Sequence, residues 1–82
     1  MGKPKHENLF LLMIELADGR LMLANGGPDR HNKILVARKG NRDALEKIGQ
    51  RILDEGLAIG YQILITASPP VRTYNVEEVQ IN

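Results

Sequence analysis

The 82-residue chain has no cysteine, no tryptophan, one phenylalanine and two tyrosines. Lacking cysteine, it has no disulfide framework and no thiolate metal site, and a small domain without disulfides is expected in a reducing, cytoplasmic setting. The shortage of aromatics bears on nucleic acid. Readers of single strands stack bases on aromatic side chains, and only Phe10, Tyr61 and Tyr74 are available, the first two within apolar runs that read as core. No apolar run approaches the ~18 residues of a membrane span. The longest, Leu9–Ile14, also falls short of the about 7–15 residues of a signal-peptide core. A membrane role is not expected.

Chemistry-bearing groups are equally sparse. His6 and His31 are the only histidines, and no His/Asp/Glu spacing matches a zinc or EF-hand pattern. The single serine, Ser68, stands before two prolines and has no base beside it in sequence. No metal, cofactor or catalytic residue is expected, and an enzyme is the least favoured class.

What is present reads as one domain. Residues 1–7 form a polar tail, expected to be flexible, and 8–82 a single domain. The run Asn8–Leu16 reads as a buried strand. Ala17-Asp18-Gly19-Arg20 carries the Asp-Gly pair of a type I′ hairpin turn. A second strand is expected over Arg20–Asn25, a turn cluster at Asn25-Gly26-Gly27-Pro28-Asp29, and a third strand over Asn32–Arg38. Asn41 suits an N-cap, and the spacing of Leu45, Ile48, Gly49 and Ile52 predicts a helix over Arg42–Glu55, closed by Gly56 with Leu57 as its hydrophobic contact. Ala58–Ala67 alternates with period two around Ile59, Tyr61, Ile63 and Ile65. After Ser68-Pro69-Pro70, Val71–Val76 reads as a fifth strand, with Val79 and Ile81 as an extension. The expected fold is α+β: a single small domain in the order β-β-β-α-β-β, a mostly antiparallel sheet with one helix packed on one face.

One helix covers one face of such a sheet, yet the first strands are apolar on both sides. Leu9, Leu11 and Met13 oppose Phe10, Leu12 and Ile14; Leu21 and Leu23 oppose Met22 and Ala24; Leu35 opposes Ile34 and Val36. A large apolar side chain left in water forfeits roughly 1.5–3 kcal/mol of burial, so something should cover the second face. Either the C-terminal segment Val71–Ile81 folds over it, or a second copy or another protein does. Leu9, Leu11, Met13, Leu21, Leu23 and Leu35 are the residues expected at that interface.

Charge suggests an alternative. The formal net charge of +1 is a cancellation: residues 1–42 hold 8 Lys/Arg against 4 Asp/Glu, net +4, and residues 43–82 hold 3 against 6, net −3. Arg30, Lys33, Arg38, Lys39 and Arg42 fall in one stretch without an acid, ending at the helix start, where free N–H groups favour anions. The expected function is therefore that of a small intracellular regulatory or interaction protein acting through protein–protein contact, as a homodimer packed through the second sheet face. The alternative is a nucleic-acid or phosphate-binding module using those five cations. The Asn25–Asn32 loop reads as a hairpin connection that could also touch a partner.

Overall fold

The first hairpin sets the frame of the sheet. In the computed structural model, which describes residues 8–68 and 72–76, β1 (Leu9–Glu15) pairs antiparallel with β2 (Leu21–Leu23) through Met13↔Leu23, Ile14↔Met22 and Glu15↔Leu21. The Gly19 N–H donates to the Leu16 carbonyl and the Leu16 N–H to the Arg20 carbonyl, both at 2.9 Å. Gly19 takes φ +91° while Asp18 stays out of the left-handed region. This is a three-residue loop, a turn followed by a left-handed glycine, and not the expected two-residue type I′ turn, which needs positive φ at both central positions. The Asp18 carboxylate holds the alternative geometry by accepting from the Arg20 N–H at 3.0 Å and from Arg20 Nε at 2.7 Å.

β1 lies at the centre. Along one edge it pairs antiparallel with the whole of β4 (Gly60–Thr66), from Leu9↔Thr66 to Glu15↔Gly60. A strand has two edges, so β2 and β3 (Ile34–Ala37), the latter paired through Phe10↔Ala37 and Leu11↔Val36, share the other one. They follow each other along it, and loop 25–33 is an excursion between them. Ala24 marks the junction: its N–H donates to the Leu12 carbonyl at 2.8 Å, and its carbonyl accepts from the Leu35 N–H at 3.0 Å. β5 (Thr73–Asn75) adds to β3 in parallel. The described residues thus form five strands in one mixed, mostly antiparallel sheet with one α-helix, the expected α+β order. The expected tail 1–7, Pro69–Val71 and the extension through Val79 and Ile81 lie outside the described residues.

The helix α1 (Arg42–Asp54) ends one residue before the expected boundary. Asn41 occupies the N-cap position, but its side chain makes no capping hydrogen bond; a 3₁₀ turn, Lys39–Asn41, leads in instead. At the other end Gly56, at φ +74°, donates to the Leu53 carbonyl at 3.0 Å, and Leu57 donates to the Ile52 carbonyl at 3.1 Å. These two bonds are the Schellman pair. The Leu57 side chain remains exposed, so the expected hydrophobic contact contributes little.

β3 and β4 both run antiparallel to β1 and hence parallel to each other, and α1 is the crossover that joins them. It packs Leu45, Ile48 and Ile52 over Phe10, Leu12, Ile14, Leu35, Ala37, Tyr61 and Ile63. Its approach to β4 depends on Gly49: a Cβ there would lie 2.6 Å from Tyr61 Cδ1. Thirteen residues make a rod of about 20 Å, and the ends of the β4 stripe, Ile59 and Ile65, stay exposed.

Candidate interaction face

Register decides which side chains share the face away from α1. Partners across a ladder point to the same side. From β1 that face takes Leu9, Leu11, Met13 and Glu15; from β2, Leu21 and Leu23; from β3, Ile34 and Val36; from β4, Gln62, Leu64 and Thr66. β5 contributes Thr73 and Asn75. Five of the six residues expected there are brought together. Leu35 is not: it is 2% exposed and belongs to the core under α1. The cause is the pairing Leu11↔Val36, which aligns the even residues of β3 with the odd residues of β1. Ile34, Val36 and Leu64 are the apolar members that sequence reasoning missed. Their alternation was visible, but its phase relative to β1 was not.

No described helix or strand lies over this face, but its exposure is uneven. Leu11 and Val36, in the middle, are buried; Leu9, Met13, Leu23, Ile34 and Leu64 are half-buried; Leu21 is 64% exposed. β4 and β5 stand on opposite edges of the sheet and run parallel. The open ground is the β2 end, where Met13, Glu15, Leu21, Gly60, Tyr61 and Gln62 line a shallow cavity of about 130 Å³. Glu15 marks this end of β1. Along the β3–β5 side Leu9, Lys33, Val36, Arg38, Thr73, Tyr74 and Asn75 line a cavity of about 380 Å³, with Arg38 level with Leu9, at the end opposite Glu15. The apolar face therefore carries an acid at one end and a base at the other.

The five cations of the basic stretch divide among different surroundings. Lys33 and Arg38 share the cavity just described. Lys39 lines a separate, more apolar one with Asn8, Phe10 and Ile65. The Arg42 guanidinium sits 6.0 Å from the Phe10 ring centre and 3.5 Å from a Glu46 carboxylate oxygen. Arg30 lies over the Tyr74 ring at 5.5 Å. Arg30 belongs to the 25–33 loop, which is built around its own hydrogen bonds. Gly27 donates to Asn25 Oδ1 at 2.8 Å, and the Gly27 carbonyl accepts from both the Arg30 and Asn32 N–H groups. His31 and Asn32 complete it in left-handed conformations, φ 55° and 54°. The loop rests on β5 through Tyr74, whose ring fills the space a Gly26 side chain would take. It is a structured connection between β2 and β3, with Asn25 bridging to Ile34 at its neck.

Among the described residues no helix is long and apolar enough to cross a membrane. No family model matches the chain, and neither the curated proteins nor the solved structures contain a match to it.

Proposed function

We propose that the protein works by protein–protein contact, as a homodimer that packs the face of the sheet opposite α1 against the same face of a second copy. The observation that carries this reading is Leu21, exposed at 64% beside half-buried Met13 and Leu23 with no described element above it. Seven residues of β1 at about 3.3 Å each, across four strand positions about 4.8 Å apart, outline a face on the order of 400 Å². Two copies would bury roughly twice that, about 800 Å², which is below the about 1,200–2,000 Å² of stable specific interfaces and makes this a weak, concentration-dependent contact. The second copy is favoured as occupant by charge: stacked antiparallel, each chain sets its Glu15 end against the Arg38 end of the other.

Light scattering on the wild type and on Leu21→Lys tests the reading. Leu21 is exposed in the single chain, so the substitution spares the core. Losing Leu burial in both symmetric copies, at about 1.4 kcal/mol or more each, should weaken dimerisation at least about a hundredfold. An unchanged dimer in Leu21→Lys overturns the face-to-face contact.

A second reading rests on Lys33 and Arg38 in one largely polar cavity with Thr73 and Asn75. It makes the β3–β5 side of the sheet a site for a phosphate or a nucleic-acid backbone. Titration with DNA and RNA at two salt concentrations tests it, because a backbone contact must weaken steeply with salt.

A further inference from the structure

β4 is the longest edge of the sheet, and from Tyr61 to Thr66 it carries none of the devices that keep edges from pairing. The one irregularity is at its start, where the Ile59 N–H donates to the carbonyl of Glu15, the partner of Gly60, at 2.8 Å. Among the described residues nothing pairs with its outer side. From Leu57 to Val71 the sequence holds no charged residue, and from Gly60 to Thr66 it holds no proline; the ladder to β1 is continuous across those residues. Natural edges are ordinarily blunted by lysine, proline, a bulge or brevity.

The backbone groups that face outward follow from the pairing. The Leu12 carbonyl accepts from Ala24, on the β2/β3 side of β1. Hydrogen-bonding groups alternate between the two edges of a strand, so Leu9, Leu11, Met13 and Glu15 bond towards β4, and their partners Thr66, Leu64, Gln62 and Gly60 bond back. Tyr61, Ile63 and Ile65 are left with N–H and C=O aimed out of the sheet. Their side chains share the α1 face: Tyr61 and Ile63 pack against the core, while Ile65 is 63% exposed.

We infer that β4 pairs antiparallel with β4 of a second copy, on a two-fold axis through Ile63. This contact is separate from the face-to-face one. The register places Ile63 opposite the second copy's Ile63, and Tyr61 opposite its Ile65, on both sides of the axis. All three outward-facing residues then enter hydrogen-bonded pairs, each exchanging two bonds. Each exposed Ile65 meets a tyrosine ring, an aromatic–β-branched pair of the kind that stabilises sheets. On the other face Gln62 meets Leu64 and Gly60 meets Thr66, so no charge is buried and no side chains of like charge oppose one another. The segment is self-complementary in backbone phase, in side-chain pairing and in its lack of charge, and this selects a second copy as its occupant.

Three measurements on the full chain test it: mass by light scattering, amide hydrogen exchange at Tyr61, Ile63 and Ile65 at high and low protein concentration, and the same on Ile65→Lys, Ile65→Val and Leu21→Lys. The proposal expects those three amides to be protected only at concentrations where the chain is associated. It expects Ile65→Lys to raise the dissociation constant by about tenfold or more, since the burial of Ile65 against Tyr61 is then lost in both copies and two charges are brought to an uncharged edge, and Ile65→Val to keep association. If Ile65→Lys dissociates a dimer that Leu21→Lys leaves intact, the edge contact holds and the face contact falls. If Leu21→Lys alone dissociates it and the three amides exchange freely, the edge contact falls and the face contact holds. A tetramer that each variant reduces to a dimer supports both. A monomer, with those amides either free or protected at every dilution, overturns the edge contact.

Discussion

Gly49 is where the packing of α1 can be tested against helix propensity, because the two predict opposite signs. In an exposed helix interior, Gly→Ala stabilises by about 1 kcal/mol. Gly49 is instead buried against β4, and its new Cβ would lie 2.6 Å from Tyr61 Cδ1, 2.7 Å from Cγ and 2.9 Å from Cε1. Ordinary carbon contacts are about 3.5–4.0 Å, so helix and ring must part by about 1 Å. Ring rotation does not relieve this, since Cγ lies on the rotation axis. Overpacking of this kind costs about 1–3 kcal/mol, which outweighs the propensity gain in most of that range. Gly49→Ala should therefore destabilise by about 1 kcal/mol, a fall in Tm of about 4–8 °C for a domain of this size. Urea unfolding at fixed protein concentration measures it, fixed because association would itself add stability. Repeating the substitution on a Tyr61→Val background removes the ring, and there Gly49→Ala should stabilise. If Gly49→Ala stabilises the wild type, or if the two substitutions are additive, close packing of α1 on Tyr61 is refuted.

Two further glycines separate steric from backbone causes. Gly26→Ala drives a methyl into the Tyr74 ring and hydroxyl, and Tyr74 is buried; a loss of about 1–3 kcal/mol is expected in thermal unfolding, and an unchanged Tm would show that the loop does not rest on Tyr74. Gly56→Ala meets no atom within 4 Å but must hold φ +74°, so a loss of about 1–2 kcal/mol is expected from backbone strain alone. Gly56→Asn should lose less, and equal losses for the two would argue against a left-handed cap.

The helix was legible in the sequence because its determinants are local. The stripe through Leu45, Ile48 and Ile52, and a glycine able to reach positive φ at position 56, bound it to within one residue of Arg42–Asp54. β4 was legible for the same reason, though of its alternating stripe only Tyr61 and Ile63 pack against the core, and Ile59 and Ile65 stay exposed. The Asn41 cap illustrates the opposite case. Its residue type suits the position, but the 3₁₀ turn ahead of it brings the chain in without the side-chain bond.

Facing could not be read the same way, because it depends on register, and a slip of one residue turns every side chain over. A two-residue loop at Asp18-Gly19 would have paired Ala17 with Arg20 and set Leu23 opposite Ile14, under the helix. The three-residue loop pairs Met13 with Leu23 instead, and this places Leu21 and Leu23 on the face with Leu9 and Leu11. That face thus rests on one extra loop residue, made possible by the left-handed Gly19. β3 depends on a longer loop, whose length sets no register. Its phase comes from Ala24, which bonds to Leu12 on one side and Leu35 on the other and so ties Leu35 to the level of Leu12 under α1. The same alternation, carried through β1 to β4, turns the hydrogen-bonding groups of Tyr61, Ile63 and Ile65 outward. Both candidate contact surfaces, the Leu21 face and the β4 edge, are consequences of one register, set by a turn at Gly19 and a junction at Ala24 that carry no functional group of their own.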